Sequence, residues 1–161
     1  MASNVGYFVG SHASSPHASI YICHACNHPT YFSGEGVQYP GVAYGNDVSD
    51  LPTDVLGIYT EGRKSFSVSA YTASVMCMRK VLMNVAVSQG ADKGLKFAEY
   101  VNWLVENHYT PPGSRDWVDA IRQLGNDANH EIQSRTRDEA EKIIHFVEML
   151  LKFIYQFPAK V

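Results

Sequence analysis

The sequence is poor in the features that would place it outside the ordinary folded class. It has three cysteines in 161 residues, an odd and small number that does not build a secreted disulfide framework. No stretch approaches ~18 uncharged apolar residues, so no helix is expected to span a membrane. Charge is sparse, at 18% of residues, with a net charge of −3. That balance gives no global attraction for nucleic acid, although it says nothing about a local basic patch. Residues 1–17 contain neither Lys nor Arg and no long apolar core, so no secretory signal is expected and the expected location is the cytoplasm. Hydrophobic residues make up 45%. A chain of this length and composition buries a core without staples.

Composition changes near residue 50. Residues 1–50 are rich in Gly, Ser, Tyr, His and Pro. Their β-type runs, Tyr7-Phe8-Val9, Ile20-Tyr21-Ile22 and Thr30-Tyr31-Phe32, are separated by turn residues. This region reads as a small β-hairpin appendage, followed by a loop through Tyr39-Pro40-Gly41 and Gly45-Asn46-Asp47. Residues 51–161 read as a helical bundle. Leu51, Val55, Ile58, Tyr59, Gly62 and Phe66 share one helical stripe. A run from about Ser69 to Ser88 is apolar nearly all round, as suits a central helix, and stops at Gly90. A third helix is expected from about Lys96 to Asn107, and a fourth after Ser114, with Asp116 near its positive end. Thr136 and Glu139 form a capping box that starts the fifth, whose apolar spacing lasts until Pro158. The fold class is therefore mainly α, about five helices with an N-terminal β-hairpin.

One polar pattern stands out. Arg122, Asn126 and His130 are spaced by four, so on a continuous helix they share a face, with the outer two Cα atoms ~12 Å apart. Histidine exchanges protons near neutrality, arginine grips phosphate bidentately, and asparagine orients either. The structural reading of the same residues pairs Arg122 with Asp119 or Glu131, lets Asn126 cap a turn and bonds His130 near the helix end. Spacing alone leaves both open.

Cys23-His24-Ala25-Cys26 is half of a zinc-ribbon signature. Structural zinc needs four ligands, and His12, His17, His24 and His28 lack finger spacing around the pair. A degenerate, metal-free hairpin is expected, with Cys23 and Cys26 as the metal ligands if zinc is bound; no other cofactor is expected. Cys77 falls in the apolar second helix and reads as a core thiol. Arg79 is expected to reach a carboxylate such as Glu61, His145 to lie at the surface and His108 to suit a helix C-terminus.

The stretch from Asp119 through Arg122, Gly125, Asn126 and Ala128 to His130-Glu131 resembles the signature of a bacterial family, domain of unknown function 4145. Leu51-Pro52 with Tyr59-Thr60-Glu61, Cys77-Met78-Arg79-Lys80-Val81-Leu82 and the tail from Phe146 to Pro158 match as well, so the resemblance covers most of residues 20–161. Relatives often carry an upstream CxxC that this chain lacks. The family is similar to the HEPN superfamily of helical bundles, many of which are metal-independent RNases or RNA-binding partners in toxin and phage-defence systems. Such domains dimerise with their Arg/His motifs facing. Their usual spacing is shorter than the seven residues between Arg122 and His130 here. The resemblance implies RNA as partner and a homodimer through the helix-four face. It implies that His130 takes a ribose 2′-hydroxyl proton, Arg122 holds the scissile phosphate and Asn126 positions one of them. Two other functions stay open beside it: a non-catalytic interaction module with the helix-four face as its seam, and a small zinc-binding regulator using Cys23 and Cys26.

Overall fold

The computed structural model describes residues 18–24, 27–111, 113–126 and 134–160, with only the backbone of Arg115, Gly125 and Asn126. The chain forms two compact units, divided between Ala43 and Tyr44.

The described part of the first unit is a three-stranded antiparallel sheet in the order β1 (Ser19–Ile22), β2 (Pro29–Phe32), β3 (Gln38–Tyr39). Ile20 faces Tyr31 across the first pair, and Tyr31 faces Tyr39 across the second. The β1–β2 turn is closed by Asn27 N–H donating to the Cys23 carbonyl at 2.8 Å. Asn27 takes φ of 60° there, a conformation asparagine tolerates better than most residues. Aromatic pairs bind the sheet: Tyr21 meets Phe32 edge-on at 5.5 Å and Tyr31 stacks on Tyr39 at 6.1 Å. The two β-runs expected as a hairpin are β1 and β2, and β3 is an addition. Tyr7-Phe8-Val9 lies outside the described residues.

The described part of the second unit holds five α-helices: α1 (Thr53–Ser67), α2 (Tyr71–Ser88), α3 (Phe97–Glu106), α4 (Arg115–Asn126) and α5 (Arg137–Leu151). A π-helical turn over Lys152–Gln156 extends α5. As the all-apolar pattern implied, α2 is central and packs on α1, α3 and α5. Leu82, Leu104, Ile121, Ile143, Leu150 and Leu151 are fully buried, each contributing roughly 1.5–3 kcal/mol of transfer free energy. Gly62 lets α1 cross α2 closely. A Cβ at that position would meet the Met78 methyl and lie 2.9 Å from Cys77 Cβ.

The segment Tyr44–Asp47 is fastened to α1 and α5. Arg63 of α1 donates from Nε to the Tyr44 carbonyl at 3.0 Å and from Nη2 to the Gly45 carbonyl at 2.8 Å, and pairs with Asp47. Glu148 of α5 receives the Asn46 backbone N–H and side-chain amide. The Tyr59 hydroxyl donates to the Asn46 carbonyl at 2.9 Å. Burial, with Glu148 nearby, pushes the Tyr59 phenol upward, so it stays a donor. Gly45 has φ of +75° and its Cα faces Ile144 and Glu148 with no room for a side chain.

Candidate functional site

Helix α4 carries Arg122 and is built to hold it at the edge of the core. The Ser114 carbonyl accepts the Val118 N–H at 2.9 Å, starting the helix. Val118, Ile121 and Leu124 then point inward, and Trp117 meets Phe146 edge-on at 5.0 Å. Arg122 follows Ile121 and so falls at the rim, with its side chain 34% exposed. Asp119, one of the two carboxylates the sequence offers it, pairs with it, and Glu131 lies outside the described residues. Its Nε is buried and has no hydrogen-bond partner among the described residues. Among the described residues, part of a strong donor group is thus without a partner, an arrangement that buried polar groups seldom adopt.

A groove of about 570 Å³ is lined by Val105, His108, Thr110, Ser114, Val118 and Arg122, among others. His108 reaches it from the end of α3. Its N–H donates to the Val105 carbonyl at 3.0 Å, and the Tyr109 N–H donates to the Leu104 carbonyl at 2.9 Å. This is the paired closure of a Schellman motif, in which the residue at the left-handed position is usually glycine. Here it is His108, at φ of 63°. Sequence reasoning gave His108 only a place near a helix dipole. Nothing in the sequence spacing connects positions 108 and 122; the turn between α3 and α4 brings them to one groove.

Helix α4 runs through Gly125 to Asn126. Arg135, its side chain 11% exposed, donates to the Leu124 carbonyl at 3.2 Å and pairs with Glu139 at 3.0 Å. It thereby satisfies a carbonyl of the last turn of α4 while joining the start of α5. The expected capping box is present, with Thr136 N–H donating to Glu139 at 2.7 Å and Thr136 Oγ1 accepting the Glu139 N–H. Burial would raise the Glu139 carboxyl, but hydrogen bonds from Thr136 and Arg135 outweigh it and hold the group below the usual range. Of the expected trio, Arg122 lines the groove. The Asn126 side chain and His130 lie outside the described residues.

A second concavity of about 570 Å³ shares Pro111 with the first and is lined by Trp117, Met149, Phe153, Phe157, Lys142 and Lys152, among others. Phe153 and Phe157 are 56% and 53% exposed. His145 is exposed at this side, its Nδ1 3.2 Å from the Tyr44 hydroxyl.

Cys23 sits at the end of β1, whereas Cys26, His12 and His17 lie outside the described residues. Among the described residues no three His, Cys, Asp or Glu side chains are grouped as a metal site requires. Burial, with Glu61 nearby, raises the Cys77 thiol, which suits an unreactive packing role. The Arg79 guanidinium lies 4.8 Å from the centre of the Phe97 ring, a cation–π contact.

The helices of the second unit define a mainly helical module, and His108 and Arg122 line one groove on it. Residues 60–161 match the model of the family described as Domain of unknown function (DUF4145), and the chain belongs to that family. No curated protein and no solved structure matches the chain. No helix among the described residues is long and apolar enough to cross a membrane.

Proposed function

We propose that the chain is an RNA-directed domain of HEPN type, working through the Arg122 face of α4. The observation that supports this reading is the guanidinium of Arg122, on a side chain 34% exposed and with its Nε unpartnered among the described residues, on the wall of a groove that His108 also lines. A planar guanidinium matches two phosphate oxygens, and it holds its charge at any physiological pH. The apolar walls at Val105 and Val118 suit the ribose and base that flank a phosphate. The net charge of −3 makes the attraction local to this face rather than a property of the whole chain.

In the catalytic form of this reading, His130 takes the ribose 2′-hydroxyl proton as general base. The 2′-oxygen attacks the neighbouring phosphorus, which Arg122 holds, while Asn126 positions one of the two. The bond from phosphorus to the 5′-oxygen breaks, giving a 2′,3′-cyclic phosphate and a 5′-hydroxyl that takes up a proton from water or from the protonated His130. No metal takes part. The test is cleavage of a mixed RNA pool in EDTA by the wild type and by His130→Ala. Cleavage that survives chelator and is lost in the variant is expected. An inert wild type at high protein concentration removes the nuclease form and leaves RNA binding.

The exposed Phe153 and Phe157 beside Trp117 of α4 favour a second reading, a non-catalytic dimerisation module with its seam on the helix-four side. Sedimentation of the wild type and of Phe153→Ser/Phe157→Ser distinguishes it: a dimer that the double change dissociates, in a protein that binds no RNA, is its signature.

A further inference from the structure

We infer that His108 contacts the same RNA phosphate as Arg122 and is a binding residue of this groove; the inference rests on the RNA-directed reading above. Three observations carry it. His108 and Arg122 come from different helices and line one groove of about 570 Å³, within the size range that encloses small ligands. The imidazole is exposed, and one ring nitrogen of the neutral form, or both of the protonated form, can donate to a phosphate oxygen. Finally, among the described residues the groove has few other side-chain donors for an anion. Ser114 spends its hydroxyl proton on the Pro111 carbonyl at 2.7 Å, and Asp119 supplies a negative charge against Arg122. An anion there is held better by a second donor beside the guanidinium, and His108 and Thr110 are the polar side chains that remain on the wall among the described residues.

The backbone conformation does not single out His108. Ser69 closes α1 with the same left-handed φ of 63° and the same pair of end bonds, from Ser69 N–H to Phe66 and from Ala70 N–H to Ser65. What distinguishes His108 is the groove in front of it. The conformation instead supplies a clean test, because glycine takes a left-handed φ at no steric cost. His108→Gly removes the imidazole and eases the helix end at the same time. A purely structural histidine at this position is therefore replaced without loss, whereas a binding residue is not.

The experiment titrates a fluorescein-labelled single-stranded RNA oligonucleotide at low salt with the full chain, reading anisotropy, and records thermal melting of each variant. His108→Gly is expected to melt at or above the wild-type temperature and to bind about tenfold more weakly, the effect of losing one hydrogen bond to a charged group. His108→Asn, which also tolerates the left-handed region, checks the result if glycine loosens the turn. Wild-type affinity in both variants, with binding still lost in Arg122→Ala, overturns the role of His108 and leaves the RNA reading intact. No binding by the wild type overturns the RNA reading, and this inference with it.

Discussion

Glu148 accepts two hydrogen bonds from Asn46, one from the backbone N–H and one from the side-chain amide, each at 2.9 Å. Glu148 is 5% exposed and also pairs with Lys152 one turn on. It ties the Tyr44–Asp47 segment to α5 just before the π-helical turn. A buried carboxylate with three donors is stable only as long as the donors stay.

Removing it is therefore costly. Glu148→Ala is expected to lower stability by about 3 kcal/mol, because it leaves the Asn46 amide and Lys152 without their partner. Acid should act the same way. Burial works to raise the Glu148 carboxyl, but the hydrogen bonds from Lys152 and Asn46 prevail and hold it below the ordinary carboxylate range. Its contribution is then fully present above the unfolded value of about 4.3 and is lost as pH falls through the folded value. Urea unfolding between neutral and acid pH checks this: Glu148→Gln should lose part of the wild-type acid dependence. Identical pH profiles would contradict the assignment.

Two glycines of α1 predict opposite signs. A methyl at Gly62 meets Met78 and Cys77, whereas one at Gly57 meets nothing within 4 Å. Gly57→Ala should gain up to ~1 kcal/mol from helix propensity. At Gly62 the same gain is outweighed by overpacking against the Cys77 Cβ, which is fixed to the α2 backbone, so Gly62→Ala should lose about 1–3 kcal/mol net. Chemical denaturation of both single variants measures the difference.

Asp119 competes with any anion for Arg122. The pair is partly exposed, so it contributes less than ~1 kcal/mol to stability. Asp119→Asn should leave the melting temperature nearly unchanged and tighten RNA binding by about fivefold, the free energy of such a pair returned to the ligand. Weaker binding in this variant would mean that Asp119 positions Arg122 rather than restrains it.

The Cys23/Cys26 pair is proposed to be metal-free, a half-site being unable to fill a tetrahedral zinc shell. Elemental analysis of the purified protein should find far less than one zinc per chain, and EDTA should leave its melting temperature in place. One zinc per chain that disappears in Cys23→Ser would instead make the N-terminal unit a metal site and support a zinc-dependent regulator.

The helices were legible because their signals are local. The stripe through Val55, Tyr59, Gly62 and Phe66 is the buried face of α1, and the Thr136/Glu139 box marks the first turn of α5. Strand β3 was missed because Gln38-Tyr39 is too short to alternate; its place follows from pairing with Tyr31 and Phe32. The Glu148–Asn46 bond joins positions 102 residues apart, beyond the reach of any periodicity. His108 is the same kind of case. Its type and its helix end were readable, but its groove exists only once α3 and α4 are folded against each other. Arg122 is singled out by its spacing of four and eight residues to Asn126 and His130, a local pattern that a sequence alone displays.

The most direct measurement is the affinity of wild-type protein and Arg122→Ala for a single-stranded RNA oligonucleotide in EDTA at two salt concentrations. The account predicts that the wild type binds, that binding weakens as salt rises, and that Arg122→Ala loses at least tenfold while melting within about 1 kcal/mol of the wild type. Equal affinity of a folded Arg122→Ala for the same RNA, or no binding by the wild type at low salt, would contradict it.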